Sequence, residues 1–452
     1  MKTNGRKLAL LCAAALCAAL AHGPAARRAS AQDPVGPFPQ EMGAAASYVI
    51  RNARVVTVSG PVIENGSIAV SNGRITAVGQ NVNAPAGARV IDARGLTVYP
   101  GMIDAGTNMG LVEVSSGAPG TVDTQELGDM NPNAAAVLAV NPHSAHIDVT
   151  RVAGVTSVLS MPAGGTISGQ AALINLAGTS QREMAVVPLL ALVVTFPPLG
   201  GTGFGATQRA LLPDASTARD RRVDELRRLL RDAEAYGRAV EAHARDPRNV
   251  PRPKTDLRLA ALAPYARGQR PVIFRADRDR DIRNSVRFAE EMKLKAVILG
   301  GSDAWRVATL LKERDVPVII DSTLNLPLRE DDPYDTHFEN AARLHRAGVR
   351  FCISTGDSGA HVRDLGFHAG MAAAYGLPRD EALRAVTLYP AQILGVADRM
   401  GAIEVGRVAN LVVTDGDLLE ARTNVRHVLI AGREIPLVSR HTVLYEQFRQ
   451  RP

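Results

Sequence analysis

Polar and ionisable residues follow several apolar runs at the points where those runs end. Arg275, Asp321 and Asp357 each come after a continuous apolar run of strand character, and Asn108 ends another. If the runs are neighbouring parallel strands, these side chains lie at one edge of the sheet. Two carboxylates at such an edge can move protons without a metal, and a guanidinium can pair with a carboxylate or bind an anionic ligand. We therefore expect a small-molecule substrate or ligand, contacted by Asn108, Arg275 and Asp321.

His361 is the histidine best placed for acid–base work, because it lies four residues after Asp357 in the same loop. His143 and His146 are three residues apart in a polar stretch, which we interpret as a surface loop. We interpret the acidic run between residues 330 and 335 as a solvated loop, with a lid as the alternative.

Between residues 101 and 398, apolar strand patterns alternate with helical patterns. This order is typical of a parallel sheet covered by helices on both faces. Seven strands can be assigned, and an eighth lies within residues 170–176 or within the run 184–196. The pattern predicts an α/β fold, a (β/α)8 TIM-like barrel.

Short antiparallel strand patterns flank this region on both sides. Residues 48–100 contain a hairpin signal, Ser71-Asn72-Gly73, between two apolar runs. Residues 399–440 contain further short strands, and residues 441–452 form a C-terminal tail. We predict a small β-sandwich domain assembled from both ends of the chain, with the barrel inserted between its halves.

Three motifs carry a family resemblance. The stretch Pro100-Gly101-Met102-Ile103-Asp104-Ala105-Gly106-Thr107-Asn108 resembles the amidohydrolase superfamily signature Pro-Gly-apolar-Ile-Asp-x-His-x-His. Residues 353–358 resemble the Thr-Asp-Ser turn of that superfamily. Residues 401–413 resemble its closing sequence, with Asn410 where Asp is usual. The chain is thus identified as a divergent member, similar to metal-dependent hydrolases of the imidazolonepropionase-like type.

The resemblance implies a metal-bound water at the barrel mouth and a final acid that takes its proton. Asp357 matches that acid and is the catalytic residue that the resemblance implies. The customary ligand positions hold other residues: Gly106, Asn108, Arg275, Gly300 and Gly301. We therefore assign no metal ligand and no cofactor from the residues; zinc or another divalent metal is implied by the family resemblance alone. Our hypothesis is that Arg275 replaces the charge of the metal.

Two functions remain open at this point. The first is a hydrolase acting on non-peptide carbon–nitrogen bonds with a divergent active site. The second is a catalytically inactive pseudo-hydrolase that binds a small anionic or amide ligand at the barrel mouth. The absent ligands favour the second, whereas the family favours the first.

The N-terminus predicts export. A basic start, an apolar run at residues 8–20 and Ala29-Ser30-Ala31 resemble a cleaved signal peptide over residues 1–31, followed by a flexible tether at residues 32–47. Cleavage removes five basic residues and no acid, so the formal net charge falls from +7 to +2. We therefore expect no nucleic-acid partner, a periplasmic or secreted location, and no membrane association after cleavage. Cys352 remains as a buried small hydrophobe. Nothing in the sequence indicates the oligomeric state.

Overall fold

The computed structural model describes residues 46–114, 118–197, 215–321, 323–356 and 358–449. The predicted signal peptide, most of the predicted tether and Asp357 lie outside the described residues. Residues 46–440 belong to one compact unit. Within the described residues, no helix has the length and apolar character that crossing a membrane requires.

The strands are numbered along the chain as follows: β1 (Tyr48–Val55), β2 (Ile63–Ser71), β3 (Arg74–Gly79), β4 (Arg89–Asp92), β5 (Thr97–Pro100), β6 (Met102–Thr107), β7 (Val155–Ser160), β8 (Ile167–Asn175), β9 (Ala185–Thr195), β10 (Pro271–Ala276), β11 (Lys295–Gly300), β12 (Val318–Ile320), β13 (Phe351–Ile353), β14 (Leu411–Thr414), β15 (Val425–Ile430) and β16 (Arg433–Glu434).

The α-helices are numbered in the same way: α1 (Ala136–Ala139), α2 (Ala145–Arg151), α3 (Gln181–Met184), α4 (Ala215–Arg245), α5 (Leu257–Ala266), α6 (Asp279–Glu291), α7 (Ala308–Glu313), α8 (Thr336–Ala347), α9 (Leu365–Ala374), α10 (Arg379–Arg384), α11 (Leu388–Ile393) and α12 (Arg440–Arg449).

The first sheet joins both ends of the chain, as predicted. Its strand order is β16-β15-β14-β5-β1-β2-β3, and β4 pairs with β1. The junction is the antiparallel pair of β5 and β14, in which Leu411 lies opposite Pro100. The predicted hairpin between β2 and β3 is confirmed, with Asn72 and Gly73 both at positive φ. Asn-Gly supplies this conformation at little steric cost, and its twist matches that of the flanking strands.

The second sheet is the barrel, in the order β6 to β13. The predicted TIM-like barrel is confirmed, and the eighth strand is β8, which contains residues 170–175 of the predicted run 170–176. β8 runs antiparallel to both β7 and β9, whereas the other neighbours are parallel. The connection from β7 to β8 spans residues 161–166, which is too short for a parallel crossover. The chain therefore turns back directly, and the connection between these two strands contains no helix.

The barrel closes where β6 and β13 meet. The Ser354 hydroxyl donates to the Gly106 carbonyl at 3.0 Å. The backbone carbonyls of Val386 and Ala385 accept from the amides of Ile103 in β6 and Ile353 in β13. Both carbonyls belong to the segment between α10 and α11, where the chain forms two short helices in place of one long helix. The seam between β6 and β13 is thus bridged by side chains and inserted backbone.

Candidate functional site

Arg275 and Asp321 lie at the barrel mouth because strand side chains alternate. The barrel interior is filled by one apolar cluster to which every strand contributes, including Ile273, Ile319 and Cys352. Arg275 follows Ile273 by two positions, and Asp321 follows Ile319 by two positions. Both therefore point to the inner side at the carboxyl ends of β10 and β12. Only β11 separates these two strands, and both residues are half-buried.

Gly106 occupies the position of the first histidine in the resembled signature. A Cβ atom at Gly106 would lie 2.7 Å from the Ser354 hydroxyl oxygen and 3.0 Å from the Leu299 Cδ1 atom. Ser354 also accepts the Gly356 amide at 3.1 Å, so its hydroxyl is held on both sides. The space that a larger side chain at residue 106 would need is therefore filled by the side chains of β11 and of the loop after β13.

Gly300 and Gly301 occupy the end of β11 and both have positive φ. A Cβ atom at Gly300 would lie 2.6 Å from the Asp277 Oδ1 atom. That oxygen accepts the Ser302 hydroxyl at 2.8 Å, which fixes the carboxylate over the glycine. A histidine at residue 300 would need both a strained backbone and a displaced Asp277.

Asp104 binds the two sides of the barrel seam together. It accepts the Gly106 amide at 3.0 Å, and its other oxygen accepts the Thr355 amide at 3.2 Å and the Thr355 hydroxyl at 2.5 Å. Burial raises the pKa of Asp104 to about 6, although these hydrogen bonds oppose the increase. Asp104 has no access to solvent, so the structure assigns it a positioning role at the mouth.

Asn108 and His361 lie on the rim. The Asn108 Oδ1 atom accepts the Gly359 amide at 2.8 Å, so this side chain fixes the start of the 3-10 helix Gly359–Asp364. His361 belongs to that helix, and its side chain is 65% exposed, 3.8 Å from Asp364. The structure brings Asn108, Arg275 and Asp321 to one end of the barrel, whereas His361 faces mainly solvent.

His368 is a buried imidazole near the barrel mouth. It is 3% exposed on α9, and its Nδ1 atom lies 3.1 Å from the Thr323 hydroxyl oxygen. That hydroxyl also donates to the His368 carbonyl at 3.2 Å. Burial, with a smaller contribution from His361, lowers the pKa of His368 to about 4. No pattern in the sequence indicates this contact, because it depends on how α9 packs against the loop that follows β12.

An ion-pair network also surrounds the mouth, and the sequence does not reveal it. Asp303 is 1% exposed and accepts two hydrogen bonds from Arg329, at 2.9 and 2.7 Å. Burial by itself would raise the pKa of Asp303, but the hydrogen bonds from Arg329 and from the Asp279 amide, together with the charges of Arg329 and Arg306, outweigh it, and the pKa lies below its usual value. Asp332 pairs with Arg306 and Arg329. The prediction of a solvated loop is therefore wrong for Asp332, whose side chain is 5% exposed.

The described residues at the mouth do not fit the zinc site that the family resemblance implies. No group of three or more His, Cys, Asp or Glu side chains among the described residues is arranged to hold a metal ion. The positions of two customary ligands are glycines whose surroundings are closed by Ser354 and Asp277. Zinc prefers imidazole, thiolate and carboxylate donors, and an amide such as that of Asn108 is a poor substitute.

Residues 281–435 match the family described as "Amidohydrolase family". Short segments are similar to curated enzymes: 48% identity over 60 residues with an allantoinase of Enterococcus faecalis, and 45% over 58 residues with a dihydroorotase of Geobacter sulfurreducens. Each segment covers 13% of this chain. The chain matches only 12% and 14% of the lengths of these two relatives.

The fold is similar to solved structures over most of the chain. An amidohydrolase from Thermotoga maritima is 26% identical with a TM-score of 0.74; the match covers 86% of this chain and 99% of that one. A structure of molinate hydrolase is 16% identical with a TM-score of 0.53, and covers 87% of this chain and 95% of that one. The second likeness concerns the fold alone.

Proposed function

We propose that this protein, which belongs to the amidohydrolase superfamily, hydrolyses non-peptide carbon–nitrogen bonds at the barrel mouth. The observation that carries the proposal is the placement of Arg275 and Asp321 on inward positions of strands separated only by β11. The names of the relatives support the bond type: an N-acyl-D-aspartate deacylase, for example, removes an acyl group from nitrogen.

The proposed chemistry uses residues of the chain itself. The Arg275 guanidinium binds the substrate carbonyl or an adjacent carboxylate, and supplies positive charge where negative charge develops during water attack. Asp321, together with Asp357 as the resemblance implies, takes a proton from the attacking water and returns one to the leaving nitrogen. Asn108 and the buried Asp104 hold the rim and the seam in place.

A second candidate is a binding protein without turnover. The observation that favours it is the closure of the Gly106 and Gly300 positions by Ser354 and Asp277. In this case Arg275 contributes charge to bind a small anionic or amide ligand at the same mouth, and the carboxylates only orient it.

Export to the periplasm or the medium is part of the proposal. It is supported by the basic residues, the apolar run at 8–20 and the small residues at 29–31. N-terminal sequencing of the protein recovered from the outer compartment tests it. A start at Gln32 is expected, and an intact Met1 in the cytoplasmic fraction would contradict it.

One experiment separates the two functions. The purified protein is screened for hydrolysis of amides, hydantoins and acyl-peptides, with and without added zinc, beside Asp321→Asn, Asp357→Asn and Arg275→Gln. Asp331→Asn, in an exposed part of the acidic loop, is the matched control. Turnover that all three site variants abolish and the control retains is the expected result. Thermal stabilisation by these compounds without turnover supports the binding protein instead.

Metal analysis of the same preparation tests the role of Arg275. We expect less than a stoichiometric amount of zinc, and activity that added zinc does not increase. One or two equivalents of tightly held zinc would overturn the assignment of Arg275 as the replacement for the metal's charge.

A further inference from the structure

A cleft lies between the insertion that follows β6 and the turn that joins β7 to β8. Its enclosed volume is about 30 Å³, which is enough for a group the size of a water molecule or an ammonium, and the cleft is open on its outer side. One wall is apolar and consists of Pro162 and the alanines of segment 134–139. Arg275 and Asp321 are not among its lining residues.

The cleft is held open by hydrogen bonds between its two sides. The Asp129 carboxylate accepts the Thr166 amide at 3.0 Å and the Thr166 hydroxyl at 2.7 Å. The Ala163 amide donates to the Thr124 carbonyl at 2.7 Å, and the Gln170 amide donates to the Ala134 carbonyl. Because both sides are fixed, a ligand would not have to order this part of the chain.

Ser168 is the first observation that indicates a ligand in this cleft. It is 1% exposed, lines the cleft, and its hydroxyl has no hydrogen-bond partner among the described residues. Ile167 pairs with Val194 and Gly169 pairs with Val193, so Ser168 is the extra residue of a β-bulge. Bulges commonly re-aim a side chain beside a functional site, and a buried hydroxyl without a partner is unusual in folded proteins.

The charged lining of the cleft is entirely acidic. Asp123 and Glu126 contribute carboxylates, and no Lys, Arg or His is among the lining residues. We propose that this cleft binds a primary alkylammonium ion. The ammonium donates to the Ser168 hydroxyl oxygen and is attracted by Asp123 and Glu126, while a short alkyl chain packs on the alanines and Pro162. The proposal does not depend on hydrolysis at the mouth.

The test measures binding of n-butylammonium chloride to the full chain by calorimetry, with n-butanol as the neutral probe of similar size. We expect saturable millimolar binding of the cation that weakens with salt, and no saturable binding of the alcohol. Ser168→Ala should weaken binding roughly tenfold, the value of one charge-assisted hydrogen bond. Glu126→Gln should weaken it severalfold, and the control Asp331→Asn should not change it.

Two further readouts keep the outcome clear. The melting temperature of Ser168→Ala should equal or exceed that of the wild type, because the variant removes a buried hydroxyl without a partner. Equal binding of butylammonium and butanol would overturn the proposal. So would unchanged affinity in Ser168→Ala, or no saturable binding of the cation by a wild type with an intact thermal transition.

Discussion

Gly106→Ala tests directly whether the first position of the resembled ligand pair is closed. The added Cβ would lie 2.7 Å from the Ser354 hydroxyl oxygen and 3.0 Å from the Leu299 Cδ1 atom. Both distances are shorter than an ordinary contact, and Ser354 is held by hydrogen bonds on both sides. Overpacking of this kind typically costs about 1–3 kcal/mol, and we expect Gly106→Ala to lower the free energy of unfolding by about 2 kcal/mol.

A double-mutant cycle tests whether this cost arises from the contact between the added Cβ and the Ser354 hydroxyl. Ser354→Ala removes the hydroxyl and its bonds, which we expect to cost about 1–2 kcal/mol. The double variant should then lose less than the sum of the single variants by about 1 kcal/mol, because the alanine no longer meets the hydroxyl. Gly79→Ala is the matched control: nothing lies within 4 Å of a Cβ at Gly79, so its effect should stay within about 0.5 kcal/mol.

Urea unfolding, followed by circular dichroism and by the fluorescence of the single tryptophan, provides the measurement. That residue, Trp305, lies between Arg306 and Arg343, each 4.3 Å from the ring centre, so its emission reports on the region near the mouth. Coincident transitions justify a comparison of free energies. The argument that the Gly106 position is closed would be refuted if Gly106→Ala were as stable as the Gly79→Ala control. Strictly additive effects in the cycle would refute it as well.

Two further predictions concern buried charges. The pKa of Asp104 is raised to about 6, so its contribution to stability is present below pH 4 and is lost as the pH rises through 6. The pKa of His368 is lowered to about 4, so its contribution to stability is present above pH 6.5 and is lost as the pH falls through 4. Each pKa shift corresponds to roughly 3 kcal/mol, and the two effects oppose each other. Between pH 4 and 6.5, the melting temperature should therefore rise with pH in Asp104→Asn, fall with pH in His368→Asn, and change less in the wild type. Parallel profiles in all three proteins would show that neither group titrates as described. Arg329→Met should lower the free energy of unfolding by about 2 kcal/mol, because Asp303 loses the partner that donates two hydrogen bonds to it. Arg350→Met is the control, since it breaks an exposed ion pair. It should lower the free energy of unfolding by less than about 1 kcal/mol in the same urea assay.

Much of the fold can be predicted from the sequence because its signals are local. The Asn72-Gly73 turn, the long helix α4 and the two groups of short strands follow from residue type and period. The reversal of β8 could also have been predicted, because residues 161–166 leave too little chain for a crossover. The break between α10 and α11 could not be predicted in this way. Its carbonyls, at Ala385 and Val386, bond to two strands that lie far apart in the sequence.

The site is less predictable because its contacts are distant in sequence. Thr355 lies 251 residues from Asp104, and no period or spacing relates the two. The location of Arg275 and Asp321 at one end of the barrel follows from strand alternation. The burial of Asp332 could not be predicted in this way, because it also depends on Arg306, which lies 26 residues away in the sequence.

The departures from the resembled motifs share a physical pattern. Asn410 replaces the usual Asp, and its amide nitrogen donates to the Ser157 hydroxyl at 3.1 Å and to the Asn175 side chain at 3.0 Å. A carboxylate at this position has no hydrogen to donate and would place its charge against the Asn175 oxygen. The side-chain oxygen of Asn410 accepts the Ala431 amide at 2.8 Å, so both the nitrogen and the oxygen of the Asn410 amide group are hydrogen-bonded.

The same holds at the mouth, where each glycine has a neighbour that occupies the vacated space. Ser354 lies against Gly106, and Asp277 lies against Gly300 with its carboxylate fixed by Ser302. Random loss of a ligand would leave a cavity, which costs stability in proportion to its volume. Here the space is filled and the polar groups that fill it have partners. A histidine at residue 106 or at residue 300 would meet these groups, so we expect either substitution to be destabilising.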